Sequence, residues 1–249
     1  MTGTPAERYA AVSCHVERPL DDGVWARFSA LQERRPGSFA VAALLRPPDA
    51  AAGEVEEAWL VRAREAAERG PLGHHTHWTA PDHARPTAAG TGERVRSEGE
   101  RLRELGLAPT LFCGGGWYTD PDVAEACAAL GYADCTPRST RPAYLAAGEP
   151  WALLPAPARI RIPSGELLAL PTTHSLGDLA RALLRPRALP GVVHVYFHDT
   201  DLLDRRRRTL LDALLPVLAR VAEPTDLDAL RGSIAAAAPE IAWDDVARF

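Results

Sequence analysis

Lysine is missing from this 249-residue chain: all 28 basic residues are arginine. That excludes catalysis through a lysine Schiff base and the phosphate-gripping lysine of a P-loop. Cysteine is scarce as well. Cys14, Cys113, Cys127 and Cys135 form no CxxC pair and no regular spacing, so neither a disulfide framework nor a thiolate zinc site is signalled. No stretch approaches the length and apolarity of a membrane span, and residues 1–8 lack the apolar centre of a secretory signal. The expectation is a cytoplasmic protein whose substrate is an intracellular small molecule rather than a cell-wall polymer. No GxGxxG follows the first apolar run, which argues against a dinucleotide site.

An excess of positive charge is also lacking. The net charge of −5 and pI near 5.9 argue against nucleic-acid or anionic-membrane partners, which call for a basic face. The run Arg205, Arg206, Arg207 and Arg208 is read as the solvated face of a helix, with a phosphate clamp as the alternative. A hydrophobic share of 46% is enough for a sizeable core, and α/β barrels reach this length as one unit. A single domain over residues 1–249 is expected, with a barrel over about 9–220 and a helical extension over about 221–249. No feature of the sequence specifies an oligomeric state.

Apolar runs at 9–17 and 39–45 read as buried strands, with helices around 24–33 and 54–69, the second stopped by Gly70-Pro71. The alternation repeats: strand 72–77, helix 93–105, strand 109–114, then a helix from Asp120-Pro121 to Gly131, where an N-cap aspartate precedes proline at the first helical position. A weak strand at 132–135, a strand at 167–173, a helix capped by Ser175, a strand at 191–198, a helix over 201–221 and a last helix capped by Thr225 complete it. Asp21-Asp22-Gly23 is read as a turn. Seven such units predict an α/β fold with a mostly parallel sheet, either a barrel or a large doubly wound sheet.

The chemistry gathers at the carboxyl ends of these strands: His15 and Glu17, His75 and His77, Gly114 to Gly116 with Trp117 and Tyr118, His174, and His198 with Asp199. In a parallel barrel those ends share the face on which active sites are built. His75 and His77, two apart on an extended segment, point to the same side and can grip one divalent ion, while His74 faces away. His15 and Glu17 can supply a third ligand. His194, Tyr196 and His198 share a face by alternation; His198, at the strand end, is the catalytic candidate and His194 reads as a satisfied core histidine. The glycine run could bring a backbone N–H to an oxyanion or ligand, or simply form a turn.

The order of these segments, Val12-Ser13-Cys14-His15-Val16-Glu17, Gly73 to Thr79, Phe112 to Tyr118 and His194 to Asp199, resembles that of the NodB-like polysaccharide deacetylases over roughly residues 9–220. The resemblance implies a distorted (β/α)7-type barrel and hydrolytic N-deacetylation with a divalent ion, zinc in the first instance. The family's catalytic aspartate falls at His15, the second histidine of its H-[ST]-x-x-H motif at Thr79, and its usual arginine at Cys113. Either His77 and Glu17 complete the ligand set with His75, or the metal site is lost. With the set intact, His15 or an uncoordinated carboxylate is the expected base and His198 the acid. Trp117 and Tyr118 would stack on a sugar ring, and Gly115, His174 and Asp199 would line the substrate. The substrate expected is a small sugar, glycoside or biosynthetic intermediate. A lyase, cyclase or isomerase reaction on the same metal, or non-catalytic binding of carbohydrate or another small molecule, are the alternatives.

Overall fold

The computed structural model describes residues 8–78, 89–141 and 151–246. In chain order the elements are β1 (Tyr9–Val16), α1 (Asp22–Arg34), β2 (Ala42–Leu45), α2 (Glu56–Arg69), β3 (Leu72–Thr76), α3 (Thr91–Glu104), β4 (Leu111–Gly114), α4 (Pro121–Ala129), β5 (Ala133–Asp134), β6 (Ala158–Ile162), β7 (Gly165–Ala169), β8 (His174–Ser175), α5 (Leu176–Ala182), β9 (Val192–His198), α6 (Arg205–Leu218), β10 (Glu223–Pro224), α7 (Leu227–Ile234), β11 (Glu240–Ala242) and α8 (Trp243–Val246). The strands form one sheet in the order β11-β6-β7-β5-β4-β3-β2-β1-β9-β8, with β10 beside β1. Every pairing is parallel except β6 with β7. Among the described residues no helix is long and apolar enough to cross a membrane.

Local chemistry explains the helix boundaries. Asp120 accepts from Val123 N at 2.8 Å with Pro121 at the first helical position, and Ser175 and Asp178 cap α5 reciprocally. Asp21 caps α1 by accepting from Val24 N, so Asp21-Asp22-Gly23, expected as a turn, is a helix start. Asp226 rather than Thr225 caps α7.

β1 is buried on both faces, as befits a central parallel strand. Ala10, Val12, Cys14 and Val16 pack outward with Phe28 and Leu31 of α1 and Trp59 of α2, while Ala11 lies in an inner cluster with Leu44, Leu111, Cys113, Trp117 and Ala133. Leu227 and Leu230 of α7 join that inner cluster.

The segment after β7 departs from the single strand expected at 167–173. Leu170 N donates to Asp134 O, Thr172 N to Pro137 O, and Thr173 N to His194 O on β9. The residues between β7 and β8 thus touch both β5's continuation and β9. β6 was not expected, although its sequence Ala-Arg-Ile-Arg-Ile buries alternate residues. The expected helical extension past residue 221 also supplies β10 and β11 to the sheet. Arg205, Arg206 and Arg207 are exposed on the first turn of α6, as a solvated face requires.

Asp134 is an acidic side chain buried inside this frame. Asp134 accepts from Thr136 N at 2.8 Å, and burial, only partly offset by Thr136, pushes its carboxyl up to about 6. A folded-state value above the unfolded one means the folded state holds the extra proton between about pH 4 and 6, so stability is lost as pH rises through that window. Asp134→Asn removes this slope: relative to the variant, wild type loses up to about 3 kcal/mol across it, read by denaturant unfolding at a series of pH values. Parallel curves for the two proteins would disprove the assignment.

Candidate metal and catalytic site

Glu17, the residue after β1's last, sits where the carboxyl ends of β1, β3 and β9 meet. Its Oε1 lies 3.2 Å from His75 Nε2 and 3.9 Å from His198 Nε2, and its Oε2 lies 2.5 Å from His77 Nε2. The two Nε2 atoms of His75 and His77 are 3.3 Å apart. His75 Nδ1 faces the Cys113 carbonyl at 2.7 Å. A carbonyl only accepts, so Nδ1 carries the hydrogen and Nε2 turns its lone pair toward the carboxylate. His77 directs Nε2 to the same place. Two imidazole nitrogens and a carboxylate therefore converge on one point, where they can share a proton or hold a cation. A ring nitrogen fixed by a backbone carbonyl, with the other nitrogen free to coordinate, is the usual arrangement of a metal-binding histidine.

The electrostatics agree. Burial would raise the Glu17 carboxyl, but His75 and His77 together hold it far below the ordinary range. Burial lowers His75, yet the charge and hydrogen bond of Glu17 and the Cys113 carbonyl more than offset this, so the imidazole is raised overall. His15, packed 4.7 Å from His75, 5.1 Å from Trp117 and 5.2 Å from His198 between ring centroids, is held strongly neutral by burial and then by His75 and His198; its Nε2 has no partner.

Three overlapping ligand sets are close enough for one ion: Glu17 with His75 and His77, His15 with Glu17 and His198, and His15 with His75 and Cys113. The last is the poorest, because burial raises the Cys113 thiol well above its normal value and keeps it protonated. Among the described residues the first set fits a divalent ion best, with two imidazoles and one carboxylate.

The wall beside this cluster is aromatic. Gly116, at φ 54°, leads into Trp117 at φ 62°, a left-handed backbone that a bulky side chain adopts only under local constraint. The turn sets the Trp117 ring 4.9 Å from Tyr196. Arg138 lies over both rings. A cleft of about 350 Å³ opens beside His198, bounded by Ser175, Gly177, Tyr196, Asp201 and Arg207.

The fold thus brings together His15, Glu17, His75, His77, His198 and Trp117. It places four other expected site residues elsewhere. Gly115 turns its carbonyl to Trp78 Nε1, and a Cβ there would lie 2.8 Å from Thr76 O, so it is a packing glycine. Tyr118 packs edge-on against Trp78 and donates to Asp120, in the outer helix layer. His174 bonds Thr173 Oγ1 and borders a separate cleft with Ser139, Asp178 and Arg181. Asp199 is fully buried and accepts from Arg18 N and Thr200 N; burial raises it to about 6 against those bonds. It braces the turn that carries Glu17 rather than facing a ligand. His74 points outward to Glu98, and His194 bonds Ser13 and Leu170 O in the core. The position of Thr79 lies outside the described residues. Sequence reasoning missed Arg138 and left Tyr196 unassigned, although alternation with His198 had placed Tyr196 on the right face.

No family model matches the sequence, and no curated protein matches it. Among solved structures the chain is similar to the 4-alpha-glucanotransferase from Thermococcus litoralis, at 12% identity and a TM-score of 0.52 over 91% of this chain. The chain spans only 38% of that protein's length, and at this identity the likeness shows the fold alone.

Asp199→Ala leaves Arg18 N and Thr200 N unsatisfied and frees the Glu17 turn. It is expected to destabilise the protein by about 1–3 kcal/mol and to weaken binding of a divalent ion by roughly tenfold or more. Thermal unfolding and zinc titration by calorimetry read the two effects, and wild-type values in both would refute the bracing role.

Proposed function

We propose that this chain is a metal-dependent hydrolase that removes an N-acetyl or related acyl group from a small sugar, glycoside or biosynthetic intermediate in the cytoplasm. The fold under this reading is the distorted (β/α)7-type barrel of the NodB-like deacetylases. Its ring would be completed by residues 170–175, which hydrogen-bond to β5's continuation on one side and to β9 on the other. The observation that carries the functional reading is the convergence of the Glu17 carboxylate with His75 and His77 Nε2.

Glu17, His75 and His77 would hold a divalent ion, zinc by the chemistry of these donors. Such an ion supplies a Lewis acid that polarises an amide carbonyl and lowers the pKa of water. The chain's own residues do the rest. His15, neutral and with Nε2 unpartnered, can take the proton of the attacking water. His198, at the mouth of the cleft with 39% of its side chain exposed, can deliver one to the departing amine. Burial lowers its pKa overall, although Glu17 and Asp201 favour the charged form. Tyr196, half-buried beside His198 in the cleft, offers an aromatic face on which a sugar ring can pack.

A metal-free alternative rests on the raised His75 imidazole: the three groups would share a proton rather than a cation, leaving an imidazolium–carboxylate pair. Elemental analysis of untagged protein purified without chelator decides between them. About one equivalent of divalent ion, lost in a His75→Ala/His77→Ala variant, is expected. Screening N-acetylated small molecules should then give acetate, with His198→Ala slowed by roughly 10²–10⁴-fold. No metal after supplementation would refute the metal site. A metal-loaded protein that rearranges or eliminates its substrate without releasing acetate would replace hydrolysis by a lyase or isomerase step.

A further inference from the structure

Arg138 is a permanently charged side chain in an almost closed position: 4% of it is exposed, and a guanidinium does not neutralise itself by losing a proton. Among the described residues it has no carboxylate within ion-pair distance, and its Nε is buried without a hydrogen-bond partner. Its guanidinium carbon lies 4.3 Å from the Trp117 ring centroid and 4.8 Å from that of Tyr196. Stacking of this kind compensates the charge through the flat faces of the group. It leaves the in-plane N–H fork unused, and that fork is the part that matches a carboxylate or phosphate.

The arginine is presented rigidly. Its backbone N donates to Ala152 O, its carbonyl accepts from Leu154 N at 2.8 Å, and it bridges both Leu153 and Thr172. The two rings beneath it are the same two that pack against His15, at 5.1 and 5.4 Å. The charge is therefore one aromatic layer from the histidine cluster. Its field is felt inside the sheet, where Arg138 adds to burial in depressing His194. An unpaired buried charge is destabilising unless something completes it, and no acidic side chain among the described residues does so.

We propose that Arg138 anchors an anionic group of the substrate, a carboxylate or a phosphate, against the Trp117–Tyr196 wall. This rests on the hydrolase reading for the bond that is cut, but not for the binding of the anion. An N-acyl compound carrying an acidic group a few bonds from its amide would span the two features.

The test needs no turnover. Sodium acetate and inorganic phosphate are titrated separately into the full-length protein, with sodium chloride at matched ionic strength as control. Tryptophan fluorescence and the ¹⁵N-resolved Nε–H resonance of Arg138 are followed. Saturable binding beyond the chloride control is expected with or without added zinc, weakened by at least about tenfold in Arg138→Gln and kept in Arg205→Gln, an exposed arginine at the start of α6. Preference for acetate assigns a carboxylate substrate, and preference for phosphate a phosphorylated one. If Arg138→Gln does not fold, a saturable shift of the Arg138 Nε resonance in wild type is the supporting result. No saturable response in wild type, equal affinity in a folded Arg138→Gln, or binding that appears only when zinc is added overturns the proposal. Anion binding that persists while no N-acyl compound releases acetate would sink the hydrolase reading and leave the anchor standing.

Discussion

Glu17 is a carboxylate placed among imidazoles at the carboxyl ends of β1, β3 and β9, and the local structure is organised around supplying it with positive charge. A buried carboxylate without a cation or hydrogen-bond donor is too costly to persist. The fold answers from several strands at once. β3 brings His75 and His77, β9 brings His198, and the Cys113 carbonyl of β4 holds the His75 ring so that Nε2 rather than Nδ1 faces the acid. Support comes from outside the cluster as well. Asp199 ties down the backbone after Glu17, and Glu98 receives both His74 and Thr76 on the outer face of β3, so that strand's alternation turns His75 and His77 inward.

The interior is graded along the strand direction, apolar toward their amino ends and polar toward their carboxyl ends. Ala11, Ala42, Leu44 and Leu111 pack with Leu227 and Leu230 of α7. Ser13 and His194 form a polar pair above them, and burial together with the field of Arg138 lowers that histidine to about 4. His15 follows two residues after Ser13 and faces the His75 and His198 rings. Each step up the strand exchanges packing for ionisable groups, and the strained backbone of Trp117 occurs at that upper level. Backbone strain and ionisable groups are thus gathered at one end of a well-packed frame, the pattern in which functional sites store strain.

Much of this was legible in the sequence, for identifiable reasons. Asp120-Pro121 and Ser175 announced their helices because side-chain capping is local chemistry. His75 and His77 were paired, and His74 set apart, by the period of two that any strand imposes. In the turns that follow β4 and β9 the period is lost: Gly115, Tyr118 and Asp199 turn away from the cluster, whereas Glu17 and His77, directly after β1 and β3, still follow it. Arg138 left no local trace. It follows Pro137 beyond the two-residue β5, and only the pairing of that stretch with residues 153 and 172 brings it over Trp117. β6 carried a readable alternation that was not used.

A fold shared at 12% identity with a glucanotransferase does not choose a reaction, since one α/β architecture serves many chemistries. The donor set is more discriminating. His15 stands where the resembled family has an aspartate, and the substitution changes the charge at that position. A carboxylate there would add a second negative charge beside Glu17 and help to hold a cation; a neutral imidazole does not. Burial and the positive fields of His75 and His198 already press His15 toward its neutral form, and a divalent ion beside His75 would press in the same direction. The net negative charge available to the cation is then Glu17's alone. A divalent ion held by this cluster would be bound less tightly than in a site with two carboxylates and would leave more residual positive charge, a condition that favours an anionic ligand over a neutral one.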